Sequence, residues 1–132
     1  MSAGRILIVE DDSYVRDLLL EIMEDAGFEA QSAENGQVAL DRLEEGQPDL
    51  ILLDLMVPAM DGMTFRAKQR VHPTASNIPV IVLTAGANPE SLQEEMGVVA
   101  IVSKPFAMDD LQNLVLSTIL DSQVLSKTHQ NL

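Results

Sequence analysis

Five short apolar runs recur along the chain and alternate with segments of helical periodicity: Arg5–Val9, Phe28–Ser32, Leu50–Leu53, Pro79–Leu83 and Val99–Ser103. Several are continuous rather than alternating. A strand with one wet face alternates apolar and polar residues, whereas a continuous run belongs in a strand covered on both faces. Five such strands interleaved with helices imply an α/β fold, with a parallel sheet between two helical layers joined by right-handed crossovers. In sheets of this kind ligands sit beyond the carboxyl ends of the strands, where the strand order reverses.

The helical segments carry their own signatures. Ser13 to Ala26 sets Val15, Leu18, Leu19, Ile22, Met23 and Ala26 on one face and stops at Gly27. Asn35 to Glu45 turns Ala39, Leu40 and Leu43 inward before Gly46, and Met108 to Asp121 does the same with Leu111, Leu114, Val115 and Ile119. The segment Gly62–His72 is less regular, because Arg66 and Gln69 interrupt the face that Phe65 begins; Pro89–Met96 is short. Leu116 and Leu120 point away from the inward face, either as ordinary exposed apolar residues or as part of a partner surface. Seven methionines read as gap-fillers. From about Ser122 the chain is polar, and a frayed tail is expected over 122–132.

The 132 residues suit a single domain, and their net charge is −13. Eight basic residues dispersed along the chain supply no patch for nucleic-acid phosphates or an anionic membrane. A cationic ligand or a partner with a basic patch remains open. There is no cysteine, so disulfides and thiolate metal sites are excluded. No run approaches the roughly 20 apolar residues of a membrane span, and MSAGRILIVEDD lacks the features of a secretory signal. The expected location is the cytoplasm.

The first run ends in LIVEDDS, which places Glu10, Asp11 and Asp12 side by side. Clustered carboxylates repel one another, and partial burial worsens the repulsion. The third run ends at Asp54, the fourth at Thr84 followed by Ala85 and Gly86, and the fifth leads to Lys104 and Pro105. Folding would gather these groups on one rim. Their natural occupant is a hard divalent cation such as Mg2+, which takes oxygen ligands, keeps several waters and joins carboxylates to phosphate. With Lys104 and Thr84 beside Asp54, this is equipment for carboxylate attack on phosphorus. Asp12 and Ser13 compete as helix N-caps, Asp61 with Gly62 reads as a turn and helix start, and His72 and His129 are expected at the surface.

In combination, VEDD, DLMVPAMDG, LTAG and SKPF make the chain resemble a response-regulator receiver domain of two-component signalling, over about residues 4–121. The resemblance implies a flavodoxin-like, doubly wound five-stranded parallel sheet in the order 2-1-3-4-5 with five helices. It implies that Asp54 accepts a phosphoryl group from a histidine kinase or histidine phosphotransfer domain. Glu10, Asp11, Asp54 and the Met56 backbone carbonyl would hold Mg2+, Thr84 and Lys104 would contact the phosphoryl group, and Lys104–Pro105 would be cis. The domain would catalyse only its own phosphorylation and dephosphorylation. With no output segment expected after 121, it would signal by protein–protein contact or phosphorelay.

Two departures bear on mechanism. Ile101 stands where the family usually has an aromatic that turns inward behind the threonine, so the switch residues Thr84 and Ile101 form an atypical pair. Thr84 to Lys104 spans twenty positions, slightly fewer than usual, so the fourth helix should be short. A phosphatase forming an aspartyl phosphate is disfavoured by Met56, where such enzymes carry a second Asp. A flavin module is disfavoured by VEDD, which would repel the flavin phosphate. A receiver fold that binds partners without phosphorylation is the remaining alternative, kept open by Ile101.

Overall fold

A computed structural model of the chain describes residues 3–55, 62–86 and 89–130, with backbone alone for 124–130. Strands β1 (Arg5–Val9), β2 (Glu29–Ala33), β3 (Leu50–Asp54), β4 (Val80–Thr84) and β5 (Ala100–Ser103) alternate with helices α1 (Ser13–Asp25), α2 (Gly36–Glu45), α3 (Gly62–Arg70), α4 (Pro89–Met96) and α5 (Met108–Gln130). All four pairings are parallel, and the strand order is β2-β1-β3-β4-β5. The expected doubly wound sheet with five helices is the fold observed.

The continuous apolar runs separate into two cores because side chains alternate across a strand. Leu7, Val9, Ile51, Leu53, Val80 and Val82 face one way and pack with Ala39 and Leu43 of α2, Phe65 of α3 and Met96 of α4. Ile6, Ile8, Leu50, Leu52, Ile81 and Leu83 face the other way, against Leu19, Ile22 and Met23 of α1 and Leu111, Val115 and Ile119 of α5. The sheet is therefore a partition, and no residue of β1, β3 or β4 after Arg5 is left for water.

Several boundaries differ from the sequence reading. Phe28 was expected to begin the second strand, but β2 starts at Glu29. Phe28 is buried among α1 residues, and its N–H donates to Met23 O at 3.0 Å, so it closes the helix instead of entering the ladder. Leu18, expected inward, is 43% exposed, on the flank of the α1 face that Leu19, Ile22 and Met23 bury. Gln69, which broke the apolar pattern of α3, is fully buried and satisfied: its amide nitrogen donates to Ala75 O and Ile78 O at 2.9 and 3.1 Å. The largest correction concerns the tail, because α5 runs on to Gln130. No Gly or Pro interrupts residues 121–130, so nothing in the sequence stops the helix.

Caps and close contacts fix the loops near the rim. Asp12 caps α1, with Oδ1 accepting from the N–H groups of Tyr14 and Val15 at 2.9 and 3.2 Å. Asn35 caps α2 through a 2.9 Å bond from Val38 N. At the start of α3, a Cβ on Gly62 would lie 2.5 Å from Leu55 Cδ2 and 3.2 Å from Leu55 Cα, so a larger residue would require the Leu55 side chain to turn away and the close approach of α3 to the end of β3 to loosen. Asp61 lies outside the described residues.

Candidate functional site

The rim is built by ladders that run past the strand ends. Glu10 N donates to Ala33 O at 3.0 Å, which fixes Glu10 just beyond β1. Asp54 is the last residue of β3, in register with Leu83 of β4, and Leu55 N still donates to Leu83 O at 3.3 Å. Thr84 ends β4 opposite Ser103, and Lys104 N donates to Thr84 O at 2.8 Å. Backbone bonds, rather than loop chance, place Glu10, Asp54, Thr84 and Lys104 on one edge.

Lys104 Nζ reaches across β4 to Asp54 Oδ2 at 2.5 Å. The Asp54 side chain is 2% exposed and that of Lys104 is 29% exposed, so a buried carboxylate is paired with a half-wet ammonium. The Lys104–Pro105 peptide is cis, as the resemblance implies. Thr84 is buried, and its Oγ1 accepts from Gly86 N at 3.0 Å, which leaves its O–H to donate elsewhere. A Cβ on Gly86 would stand 3.3 Å from that hydroxyl oxygen, so glycine keeps the approach to Thr84 open.

Glu10 is 2% exposed, and among the described residues its Oε1 has no hydrogen-bond partner. Burial first, then the neighbouring Asp54 and Asp11 carboxyls, push its carboxyl up from the usual 4.5 to about 8, against a small opposing effect of the Asp12 N–H. That N–H donates to Glu10 Oε2 at 3.3 Å. A buried carboxylate oxygen facing other carboxyls must hold a proton or a cation. This orphaned oxygen and the all-oxygen donor set fit Mg2+, which needs only one or two carboxylates with water. Among the described residues no three His, Asp or Glu side chains come together as a group that could hold a metal ion by themselves. Asp11 is exposed, and Met56 lies outside the described residues.

Ile101 is partly buried against the core shared by α2, α3 and α4, the core-filling role its side chain suggests. His72 was expected at the surface but its side chain is only 13% exposed. Its Nδ1 accepts from Thr74 N and Ala75 N, both at 3.1 Å, and its Nε2 meets Glu44 Oε1 at 2.7 Å, tying α2 to the connection before β4. The His129 side chain lies outside the described residues.

One residue of the rim escaped the sequence reading. Arg16, in the first turns of α1, donates from its guanidinium to Glu10 O at 3.0 Å and to Asp11 O at 3.2 Å. Its spacing of five and six residues from those carbonyls was the available signal, but a carbonyl partner leaves no mark on a side-chain pattern.

A doubly wound parallel sheet with acids and a lysine at its carboxyl rim defines a class of phosphate- or cation-handling α/β domains. Comparison narrows it. The family profile of the response regulator receiver domain matches residues 6–116. The chain is 37% identical to sporulation initiation phosphotransferase F of Bacillus subtilis (strain 168) over 117 residues, which are 87% of this chain and 93% of that protein. It is 38% identical to the regulatory protein AtoC of Escherichia coli (strain K12) over 98% of its own length, but spans only 28% of AtoC. Among solved structures it is similar to the signal receiver domain of a signal transduction histidine kinase from Syntrophus aciditrophicus, with a TM-score of 0.82 and 32% identity over 89% of this chain and 91% of that one. The chain belongs to the response-regulator receiver domains of two-component systems.

Proposed function

We propose that residues 4–121 work as a phosphoacceptor switch in the cytoplasm, with Asp54 as the acceptor. The observation that carries this reading is the 2.5 Å contact of Lys104 Nζ with Asp54 Oδ2, beside the buried Glu10. A carboxylate oxygen of Asp54 attacks the phosphorus of a phosphohistidine on a partner histidine kinase or histidine phosphotransfer domain. A P–O bond forms and the P–N bond breaks; the imidazole nitrogen leaves with the electron pair, and the ring ends neutral after proton exchange with solvent. Water later attacks the phosphorus, releases inorganic phosphate and restores the carboxylate.

Lys104 loses part of its hold on Asp54 as the phosphoryl group arrives and pairs with a phosphoryl oxygen instead, while Thr84 donates its O–H to another. Glu10, Asp11, Asp54 and the Met56 carbonyl would hold Mg2+, which would offset the negative charge meeting at the acceptor. Output is by contact with a downstream protein or by passing the phosphoryl group on, without turnover of external substrates. The net charge of −13 favours protein partners with basic surfaces over nucleic acid or anionic membrane. Among the described residues no helix is long and apolar enough to cross a membrane.

Incubation with a small phosphodonor and Mg2+ tests the assignment on Phos-tag gels. A single retarded species is expected, absent in Asp54→Asn; labelling that persists in that variant removes Asp54 from the role. Ile101, aliphatic and packed against the core, favours a second reading in which the fold binds partners without phosphorylation. Amide chemical shifts with beryllofluoride and Mg2+ separate the two, since a switch moves resonances of α4 and β5 and a static binder does not.

A further inference from the structure

We infer that Arg16 is the positioning residue of the acidic turn, holding Glu10 and Asp11 in the arrangement that takes up a divalent cation. The inference rests on the cation-binding reading of the rim. Glu10, Asp11 and Asp12 are consecutive, so the turn must crowd three carboxyl groups together, and Asp11 is exposed with little side-chain packing to fix it. Two devices hold it. From the helix side Asp12 caps α1 and donates its own N–H to Glu10 Oε2. From the carbonyl side one guanidinium nitrogen of Arg16 bridges Glu10 O and Asp11 O, at 3.0 and 3.2 Å.

Among the described residues no carboxylate stands within ion-pair distance of Arg16, although acids surround it in sequence. Its charge is directed at backbone, not at side chains. The two carbonyls it joins belong to the residues whose carboxyl groups line the rim. Fixing both peptide planes fixes the directions in which those carboxyl groups leave the chain. A preorganised ligand set loses less conformational freedom when the ion binds, and partners that orient metal ligands from behind typically change affinity by about 10- to 100-fold when removed.

The sign of the effect separates positioning from plain electrostatics. A nearby positive charge repels a cation, so removing Arg16 for its charge alone would tighten cation binding. Removing it as a positioning group would weaken binding. Arg16→Met removes both charge and donors; Arg16→Lys keeps the charge, but its ammonium sits one atom nearer the backbone than the bridging guanidinium nitrogen and falls short of the two carbonyl groups.

The experiment is a MgCl2 titration of the full chain followed by the backbone amides of residues 10–13, with amide exchange of the same residues measured in chelator and global stability by urea unfolding. Expected for Arg16→Met is Mg2+ affinity lower by on the order of tenfold and faster metal-free exchange at the turn, with Arg16→Lys intermediate. Affinity equal to or tighter than wild type in Arg16→Met overturns the inference and leaves the proposed function standing. Wild-type protein that takes up no Mg2+ sinks the cation reading, and this inference with it. If Arg16→Met does not fold, Arg16→Lys decides alone: weakened binding with unchanged urea midpoint supports the role, and wild-type affinity refutes it.

Discussion

Glu10 shows how a single side chain can be placed against its own preference. Its burial and its acidic neighbours push the carboxyl up to about 8, while the unfolded chain titrates near the ordinary 4.5. Between those values the folded protein holds the proton more tightly than the unfolded one, so this group's contribution to stability falls as pH rises. It is fully present below about 4.5 and lost once pH passes about 8. In chelator, the urea midpoint of wild type should therefore drop between pH 5 and pH 8 relative to that of Glu10→Gln, whose amide does not titrate. A difference between the two proteins that stays flat across this window, or grows in favour of wild type, contradicts the placement. At this scale the sequence was most informative where chemistry dictates residue type. Asp54, Thr84 and Lys104 were legible because strand ends in such sheets share one rim. Arg16 was not, because its partners are carbonyl groups that every residue possesses.

Among the elements, α4 depends most on its neighbours. It has eight residues, and Met96 at its end is the one that is buried. Arg66 of α3 closes that end, donating from Nε to Met96 O at 3.0 Å and from a terminal nitrogen to Gly97 O at 2.8 Å, with Gln69 Oε1 accepting from the other at 2.5 Å. Arg70 adds a longer 3.5 Å contact to Met96 O. Gly97, at φ +65°, takes the left-handed turn that ends the helix. Charge-assisted bonds to free carbonyl groups at a helix terminus are worth roughly 1–3 kcal/mol together. Arg66→Met should cost about that much in urea unfolding and raise amide exchange at residues 96–98 before that of β4. Equal exchange in variant and wild type would show that the clasp carries no weight. The same residues explain why α3 was hard to read. Arg66 and Gln69 looked like breaks in an apolar face, yet both are inward and bonded, and polar groups that bury by finding partners escape any hydrophobic pattern.

For the molecule as a whole, the sheet keeps two cores apart. Phe65 belongs to one and Val115 to the other, and both are fully buried. Phe65→Leu and Val115→Ala should each destabilise by about 1–3 kcal/mol, and the double variant should match their sum within about 0.5 kcal/mol. A larger coupling, measured by urea unfolding of the four proteins, would mean the sheet transmits strain between its faces. This partition was the most legible feature of all, because continuous apolar strands can only be covered twice. The reach of α5 to Gln130 was the least legible, since polar residues without a breaker fit a helix and a frayed end equally well. The fastening of α4 has a further mechanical consequence. Its far end is pinned by two arginines, whereas its near end follows Thr84, Ala85 and Gly86, beside the acceptor. A helix anchored at one end answers a push at the other by pivoting, so a displacement arriving from the Thr84 side would be greatest at the start of α4 and fade to nothing at Met96, leaving the clasp and both cores undisturbed, as a door moves at its handle and not at its jamb.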